Sequence, residues 1–278
     1  PQTFPNIFAR DRVRLAPLAD FPLRDPSITK GHDGAWYLTG TRPTGEADFQ
    51  NNDGIFVWRS EDFKHWRDLG QVWSIEKNAT APLSAWQKEQ RVNPDDPEGP
   101  LVRGMTSPEI HAFNGTYWMT YSMNAQGTGL LKSTTGKADG PYEDLGRITR
   151  DGSDASLFAD EDGSVYWVVG QGWIAKMKSD LTGLAEPLRL LRPAPFPAGK
   201  MHGSAYTMDS THSPRTLGLA GAHLFKANGR YWLAAATVRD RIGTGCWDTF
   251  VCGADSLDGP FDEPMLMLTA RFIRNKVL

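Results

Sequence analysis

The chain has 278 residues, of which 40% are hydrophobic, and its formal net charge is −3 at pH 7. A chain of this length can bury a large core, and a near-neutral charge without a long run of Lys or Arg argues against a nucleic-acid or anionic-membrane partner. No apolar segment reaches the roughly 20 residues that cross a bilayer. We expect a secreted or periplasmic protein without its export signal, and a cytoplasmic location stays open.

A hairpin pattern dominates the chain after an entry segment of residues 1–20 that has little periodicity. An apolar run, an Asp-Gly or Asn-Gly turn and an aromatic-rich second run occur in this order four times, which predicts four β-hairpins. Each hairpin is followed by a further pair of short strands, so each unit resembles a blade of a β-propeller. The four units cover residues 21–76, 104–150, 151–193 and 216–269.

The segments between and after these units are less regular. Residues 78–103 and 193–214 are rich in Pro and polar residues and are expected to be surface loops. Residues 271–278 begin what resembles a fifth inner strand and then stop. The sequence therefore predicts one all-β propeller domain over residues 1–278 whose fifth blade is incomplete, to be closed by a missing C-terminal segment or by another subunit.

Acidic residues stand near the start of the predicted inner strands. In a propeller these starts converge at one face of the central channel, which predicts that Asp25, Glu109, Asp154 and Ala220 occupy equivalent positions of the repeat and lie close together. Carboxylates that share a pocket and ionise differently are the arrangement used for general acid–base chemistry on a glycosidic bond. Asp at a strand start is also common as a turn or capping residue, so spacing alone leaves both interpretations open.

The motifs around these residues resemble glycoside hydrolase family 43, whose members are five-bladed propeller enzymes acting on arabinose- and xylose-containing polysaccharides. The resemblance runs in order from about Phe21 to the C-terminus. The segments that carry it are Arg24 to Ile28, Ser107 to His111, Ser153 to Phe158 with Asp160 to Gly163, and Gly221 to Lys226.

The resemblance implies a role for each matching residue. Asp25 matches the general base, which deprotonates a water, and Asp154 matches the residue that tunes the pKa of the acid and orients the substrate. The implied mechanism is a single displacement with inversion, in an enzyme that releases terminal α-L-arabinofuranosyl or β-D-xylosyl units. Glu109 resembles a pocket residue of the second blade, with a structural role equally open.

The general acid is where this chain departs from the family. Relatives have Glu-Gly before the fourth inner strand, whereas this chain has Ala220-Gly221, and a methyl group cannot donate a proton. Loss of a general acid typically lowers the rate 10²–10⁴-fold. Three explanations stay open: an engineered Glu-to-Ala change, a natural loss that leaves a glycan-binding protein, or substitution by another group such as His223 or Glu98.

Further candidates for the substrate site are His223, Trp73, Trp173 and Arg274. Trp73, Trp86 and Trp173 do not follow the register of the tryptophans that pack between blades, so they are candidates for a wall that stacks on sugar rings. Arg274 stands where many relatives have a His that helps to hold a water or a calcium ion. Because a guanidinium is not a metal ligand, a structural calcium ion is disfavoured there. The histidines do not show a metal-ligand spacing either, and we predict no metal site and no cofactor.

Several questions stay open at this stage. The sequence does not distinguish arabinose, xylose and galactose, nor does it define the oligomeric state. Cys246 and Cys252 could form a disulfide or remain two buried thiols. The rival functions are a non-catalytic propeller that binds oligo- or polysaccharides and a structural propeller that binds protein partners, for which a channel mouth without converging carboxylates would be evidence.

Overall fold

The computed structural model describes residues 21–42, 52–80, 82–88, 96, 104–123, 127–194, 216–239 and 246–269, with backbone only for 237–239, 246–248 and 266–269. These residues form four antiparallel sheets of four strands each, and in every sheet the strands are in sequence order. The first sheet has β1 (Arg24–Lys30), β2 (Trp36–Thr41), β3 (Gly54–Ser60) and β4 (Arg67–Ser74). The second has β5 (Met105–Phe113), β6 (Thr116–Met123), β7 (Gly127–Ser133) and β8 (Tyr142–Thr149).

The third sheet is the shortest of the four. It has β9 (Ser156–Ala159), β10 (Val165–Val169), β11 (Trp173–Lys176) and β12 (Arg189–Leu190). The fourth sheet has β13 (Ala220–Ala227), β14 (Arg230–Arg239), β15 (Cys246–Ala254) and β16 (Met265–Thr269). The sheets are blades of a β-propeller, and their limits match the four predicted units. The entry segment 1–20 and the predicted start of a fifth blade at 271–278 lie outside the described residues.

The predicted hairpin turns form in two ways. Asn114-Gly115 and Asn228-Gly229 have positive φ at both residues, as a two-residue type I′ turn requires. The other two connections are longer, covering residues 31–35 and 160–164, and in each Asp-Gly pair only the glycine has a positive φ. Hydrogen bonds from Gly31 N to Ala35 O and from Asp160 N to Ser164 O, both 2.8 Å, close these longer turns.

The hydrophobic core lies between neighbouring blades. Consecutive residues along one strand point towards the two blades on either side, since side chains alternate between the faces of a sheet. Trp118 therefore packs in the cluster between the second and third blades, whereas Met119 packs between the first and second. Trp167 and Val168 divide in the same way towards the second and fourth blades. Both faces of each central blade are thus buried, which explains the nearly continuous apolar runs in these strands.

The segment after the first blade is more structured than the predicted surface loop. A helical turn, α1 (Ile75–Asn78), follows β4, and a 3₁₀ turn covers Ala85–Gln87. Gln87 is fully buried and donates through Nε2 to Tyr121 Oη at 2.7 Å and to Asp144 Oδ2 at 2.8 Å. The Trp86 ring stacks on Tyr121 at 5.8 Å. Residues 82–88 are therefore anchored to the second blade, and Trp86 is core rather than cavity wall.

The two cysteines lie on the same strand, β15, six positions apart. At about 3.3 Å per residue their Cα atoms are roughly 20 Å apart, far beyond the span of a disulfide. Cys252 is a fully buried free thiol, and burial raises its pKa to about 12. The alternative of a disulfide between Cys246 and Cys252 is therefore wrong.

Candidate active site

Each inner strand starts with an irregular turn of the backbone that sets the geometry of the site. The residues at this turn are in the left-handed region, with φ of 51° at Asp25, 48° at Ser107, 54° at Asp154 and 62° at Gly221. The pairing with the second strand shifts register here in the first, second and fourth blades. Asp, Ser and Gly tolerate this conformation better than β-branched residues do. The local backbone therefore explains these residue types in part.

This turn corrects the predicted equivalence of the four blades. The position of Asp25 is occupied by Ser107 in the second blade, by Asp154 in the third and by Gly221 in the fourth. Glu109 lies two residues beyond this position, opposite Thr120, and Ala220 lies one residue before it, opposite Ala236. The prediction that Asp25, Glu109, Asp154 and Ala220 are at equivalent positions is thus wrong in register, although all four remain close together.

A cavity of about 790 Å³ opens where the four strand starts meet. It brings together residues from all four blades, including both predicted catalytic carboxylates and the position of the missing acid. Its lining consists of Arg24, Asp25, Pro26, Thr106, Ser107, Glu109, Ser153, Asp154, Ala220, Gly221 and Ala236.

The Asp25 carboxylate is held through one of its two oxygens. Oδ2 accepts from Arg24 Nε and from Thr41 Oγ1, each at 3.0 Å. The Asp25 side chain is 38% exposed at the cavity. Among the described residues none donates to Oδ1, so this oxygen can accept a hydrogen bond from a water or a substrate hydroxyl.

The Asp154 carboxylate connects the third blade to the fourth. Its Oδ2 accepts from Ser153 Oγ and from Gly221 N, both at 3.3 Å. The Asp154 backbone N–H in turn donates to Ser122 Oγ of the second blade at 2.8 Å. Asp154 therefore contacts the backbone of the residue that follows position 220, and both positions line the same cavity.

Deeper in the channel, Glu109 lies between two histidines. Its Oε2 is 3.5 Å from His111 Nε2 and 3.6 Å from His223 Nδ1, and its side chain is 21% exposed. His223 Nδ1 is also 3.0 Å from Ser156 Oγ, and His111 Nε2 accepts from Leu157 N at 3.4 Å. Three blades therefore contribute to one polar cluster below the cavity.

The charges of this cluster follow from its geometry. Burial opposes ionisation of Glu109, but the adjacent His223 and His111 outweigh burial and keep its pKa below the usual value. Burial likewise opposes protonation of His223, and the carboxylate of Glu109 raises its pKa nevertheless. Burial lowers the pKa of His111 to about 4, despite attraction by Glu109. Near neutral pH the cluster therefore holds a Glu109 anion beside a neutral His111.

Not all predicted substrate residues reach the cavity. Trp73 is 4% exposed, packs between the first two blades and donates from Nε1 to Gln87 Oε1 at 3.2 Å. The expectation that it forms part of a sugar-stacking wall is wrong, because its ring is core. Trp173, at the start of β11, is 38% exposed. It is not among the described residues that line the cavity. Arg274 lies outside the described residues.

Two hydroxyl groups near the carboxylates were not predicted from the sequence. Thr41 is the last residue of β2 and Ser122 is the second-to-last residue of β6, and each lies opposite the residue that precedes the left-handed turn of its own blade. Their only signal in the sequence is a polar residue near the end of a largely buried strand, which is common in sheets of any function. Their role requires the cross-blade geometry.

Neither a metal centre nor a membrane-spanning helix is found in the part of the chain that the structure describes. Among those residues no three His, Cys, Asp or Glu side chains are grouped closely enough to hold a metal ion. Nor is any of their helices long and apolar enough to cross a membrane. The absence of a metal site and of a cofactor stays a prediction for the whole chain.

Comparison with known proteins gives a consistent result. The family model described as glycosyl hydrolases family 43 matches residues 15–239. An extracellular endo-alpha-(1->5)-L-arabinanase from Bacillus subtilis is 29% identical over 163 residues, which are 54% of this chain and 44% of the relative. Xylosidase/arabinosidase 43B from Humicola insolens is 27% identical over 219 residues, which are 76% of this chain and 35% of the relative. The chain thus spans less than half the length of these two relatives.

Solved structures resemble the chain in fold. The endo-arabinase from Bacteroides thetaiotaomicron has a TM-score of 0.60 at 20% identity, covering 91% of this chain and 83% of that protein. The arabinanase Arb43A from Bacillus subtilis has a TM-score of 0.58 at 21% identity, covering 87% and 76% respectively. At these identities the likeness establishes the fold alone.

Proposed function

The chain belongs to glycosyl hydrolases family 43, and we propose that its cavity is the active site of an inverting, exo-acting glycosidase whose general acid has been replaced by Ala220. The proposed substrates are terminal α-L-arabinofuranosyl or β-D-xylosyl units, on an oligo- or polysaccharide outside the cell. The observation that carries the proposal is the convergence of Asp25, Asp154 and position 220 on one cavity.

In the proposed reaction Asp25 is the general base. Arg24 and Thr41 hold its Oδ2, so Oδ1 takes a proton from a water that attacks the anomeric carbon. The bond between that carbon and the leaving oxygen breaks as the new bond to water forms, with inversion of configuration. Asp154, held against the Gly221 amide, orients the substrate beside position 220.

Ala220 defines which substrates the chain can still cleave. The leaving oxygen of an alkyl glycoside or a polysaccharide needs a proton, and no carboxyl group is present at 220 to donate it. The leaving group of a 2,4-dinitrophenyl glycoside departs as a stable dinitrophenolate anion and needs no proton. We therefore expect weak hydrolysis of activated aryl glycosides and very slow hydrolysis of natural substrates.

The test is restoration of the acid. Ala220→Glu should raise kcat/KM on arabinosides or xylosides with poor leaving groups about 10²–10⁴-fold, while changing the rate on dinitrophenyl glycosides much less. Ala220→Gln is the matched control, since it has the same shape without an acidic proton, and should give no gain. If Ala220→Glu is folded and inert on aryl arabinosides, xylosides and galactosides, the proposal is wrong.

A second function is favoured by Ala220 itself. A propeller with a complete pocket and no acid can bind a glycan without cleaving it, and the cavity remains lined by Asp25, Asp154 and Glu109. Calorimetry with arabino- and xylo-oligosaccharides would detect this binding. Binding together with an inert Ala220→Glu variant would favour a glycan-binding protein, whereas activity of that variant would favour the enzyme.

A further inference from the structure

We propose that Thr41 is a positioning residue for Asp25: its hydroxyl, oriented by the second blade, fixes which carboxylate oxygen faces the cavity. This inference rests on the proposed function, in which Asp25 is the base. It assigns a role in the reaction to a residue that is itself buried and does not line the cavity.

The hydrogen bonds of the Thr41 hydroxyl have a defined direction. Oγ1 lies 2.7 Å from the backbone N of Ser107, and an amide N–H can only donate, so Oγ1 is the acceptor there. The single hydroxyl proton is then left for Asp25 Oδ2, 3.0 Å away. The Thr41 side chain is fully buried, so water does not compete for either bond.

Both donors to Asp25 act on the same oxygen. Arg24 Nε and Thr41 Oγ1 each lie 3.0 Å from Oδ2, from two different strands of the blade. The carboxylate is thereby fixed against rotation about its last bond. A general base must present a free lone pair to the attacking water in a defined direction, and Oδ1 is the oxygen that these contacts leave available.

The same position recurs in the next blades. Ser122 lies opposite Thr106 as Thr41 lies opposite Arg24, and Ser122 Oγ accepts from the Asp154 N–H at 2.8 Å. In each case a hydroxyl in the last two residues of the second strand accepts from the backbone N–H of the left-handed residue of the following blade.

In the third blade the position is taken by Gly170, which has no side chain. Its carbonyl accepts from Ala222 N at 3.1 Å, and the Gly221 N–H goes to the Asp154 carboxylate instead. A hydroxyl at this position is therefore found in the first and second blades, where it accepts from the backbone of the next blade, and a backbone carbonyl takes this role in the third blade. Within the described part of the chain, Thr41 is the one of these groups that also donates to a carboxylate on its own blade.

Thr41 also connects two blades, so the experiment must separate positioning from stability. Thr41→Val removes the hydroxyl at nearly constant volume, and Thr41→Ser retains it. Thr39→Val is the matched control: Thr39 is fully buried on the same strand, and its hydroxyl donates to Phe56 O at 2.8 Å, away from Asp25. All variants are made with Ala220→Glu, and kcat and KM are measured on one aryl glycoside.

Thr41→Val should lower kcat about tenfold with KM changed less than about twofold, because the interaction serves the chemical step. Thr41→Ser should restore kcat to within about threefold, and Thr39→Val should leave it unchanged even if it unfolds at a lower temperature. Equal kcat in the two valine variants, or failure of Thr41→Ser to restore the rate, overturns the proposal.

A readout without catalysis keeps this test independent of the proposed function. The ¹³C NMR signal of the Asp25 carboxyl carbon, assigned by its absence in Asp25→Asn, should move in Thr41→Val and stay in place in Thr39→Val. If Ala220→Glu is inert on every glycoside, the proposed enzyme is wrong, while a shifted signal still supports the contact. An unmoved signal in Thr41→Val rejects the contact itself, whatever the activity.

Discussion

Replacing His111 by glutamine should make the protein more resistant to mild acid. In the folded state burial lowers the pKa of His111 to about 4, whereas a free histidine titrates near 6.5. Below pH 6.5 the unfolded chain therefore takes up a proton that the folded protein refuses, so the free energy of unfolding falls as the pH falls. Glutamine has no such proton, and its Oε1 can replace Nε2 as acceptor for the Leu157 N–H.

The size of the effect follows from the two pKa values. Each pH unit between them corresponds to about 1.4 kcal/mol, so the full interval is about 3 kcal/mol. The His111 side chain is only 12% exposed, so solvent screening reduces this value little. We therefore expect the unfolding free energy of the variant relative to the parent to rise by about 3 kcal/mol between pH 7.5 and pH 4.

Urea denaturation followed by tryptophan fluorescence at several pH values measures this difference. At pH 7.5 His111 is neutral in both states, so the difference between variant and parent there reports packing alone and serves as the internal reference. A difference that stays constant from pH 7.5 to pH 4 would refute the reasoning.

Two further substitutions probe the cluster and the backbone. Glu109→Gln should lower the melting temperature most between about pH 4.5 and pH 6.5. The lowered pKa of Glu109 stabilises the fold above pH 4.5, and the raised pKa of His223 stabilises it until the pH rises high enough for His223 to lose its proton. A decrease in melting temperature that does not depend on pH would contradict this. Gly127→Ala should cost about 3 kcal/mol or more in a denaturant titration, since φ is 95° and a Cβ would lie 2.0 Å from Thr149 O. In the control Gly115→Ala, also at positive φ but with open space around the Cβ, we expect about 1 kcal/mol, and equal losses would contradict the overlap argument.

The blades could be predicted from the sequence because their signals are local. An Asn-Gly pair between two apolar runs specifies a hairpin from a few residues, and Asn114-Gly115 and Asn228-Gly229 form the expected turns. Four such signals at similar spacing then define the repeat. The third blade ends at Leu190, close to its predicted limit of residue 193.

The register of the site could not be predicted, because it depends on the left-handed residue at each strand start. Counting along similar motifs places Glu109 and Ala220 level with Asp25, whereas the structure offsets them by two residues and one residue. Whether a tryptophan faces the cavity depends on the same missing geometry. Trp73 lies outside the repeat register, and periodicity does not tell whether an irregular aromatic residue faces a cavity or fills a gap between blades.

The left-handed backbone at Asp25, Ser107 and Asp154 also affects how the site can be dissected. Alanine at Asp25 or Asp154 would remove the carboxylate and at the same time put a strained residue at the rim of the cavity. A loss of activity would then mix chemistry with a shifted strand start. Asparagine tolerates this conformation and keeps the shape of aspartate, so Asp25→Asn and Asp154→Asn isolate the charge. Position 220, one residue outside this turn, accepts alanine without that penalty, which makes it the cleanest place in this site to add or remove a functional group.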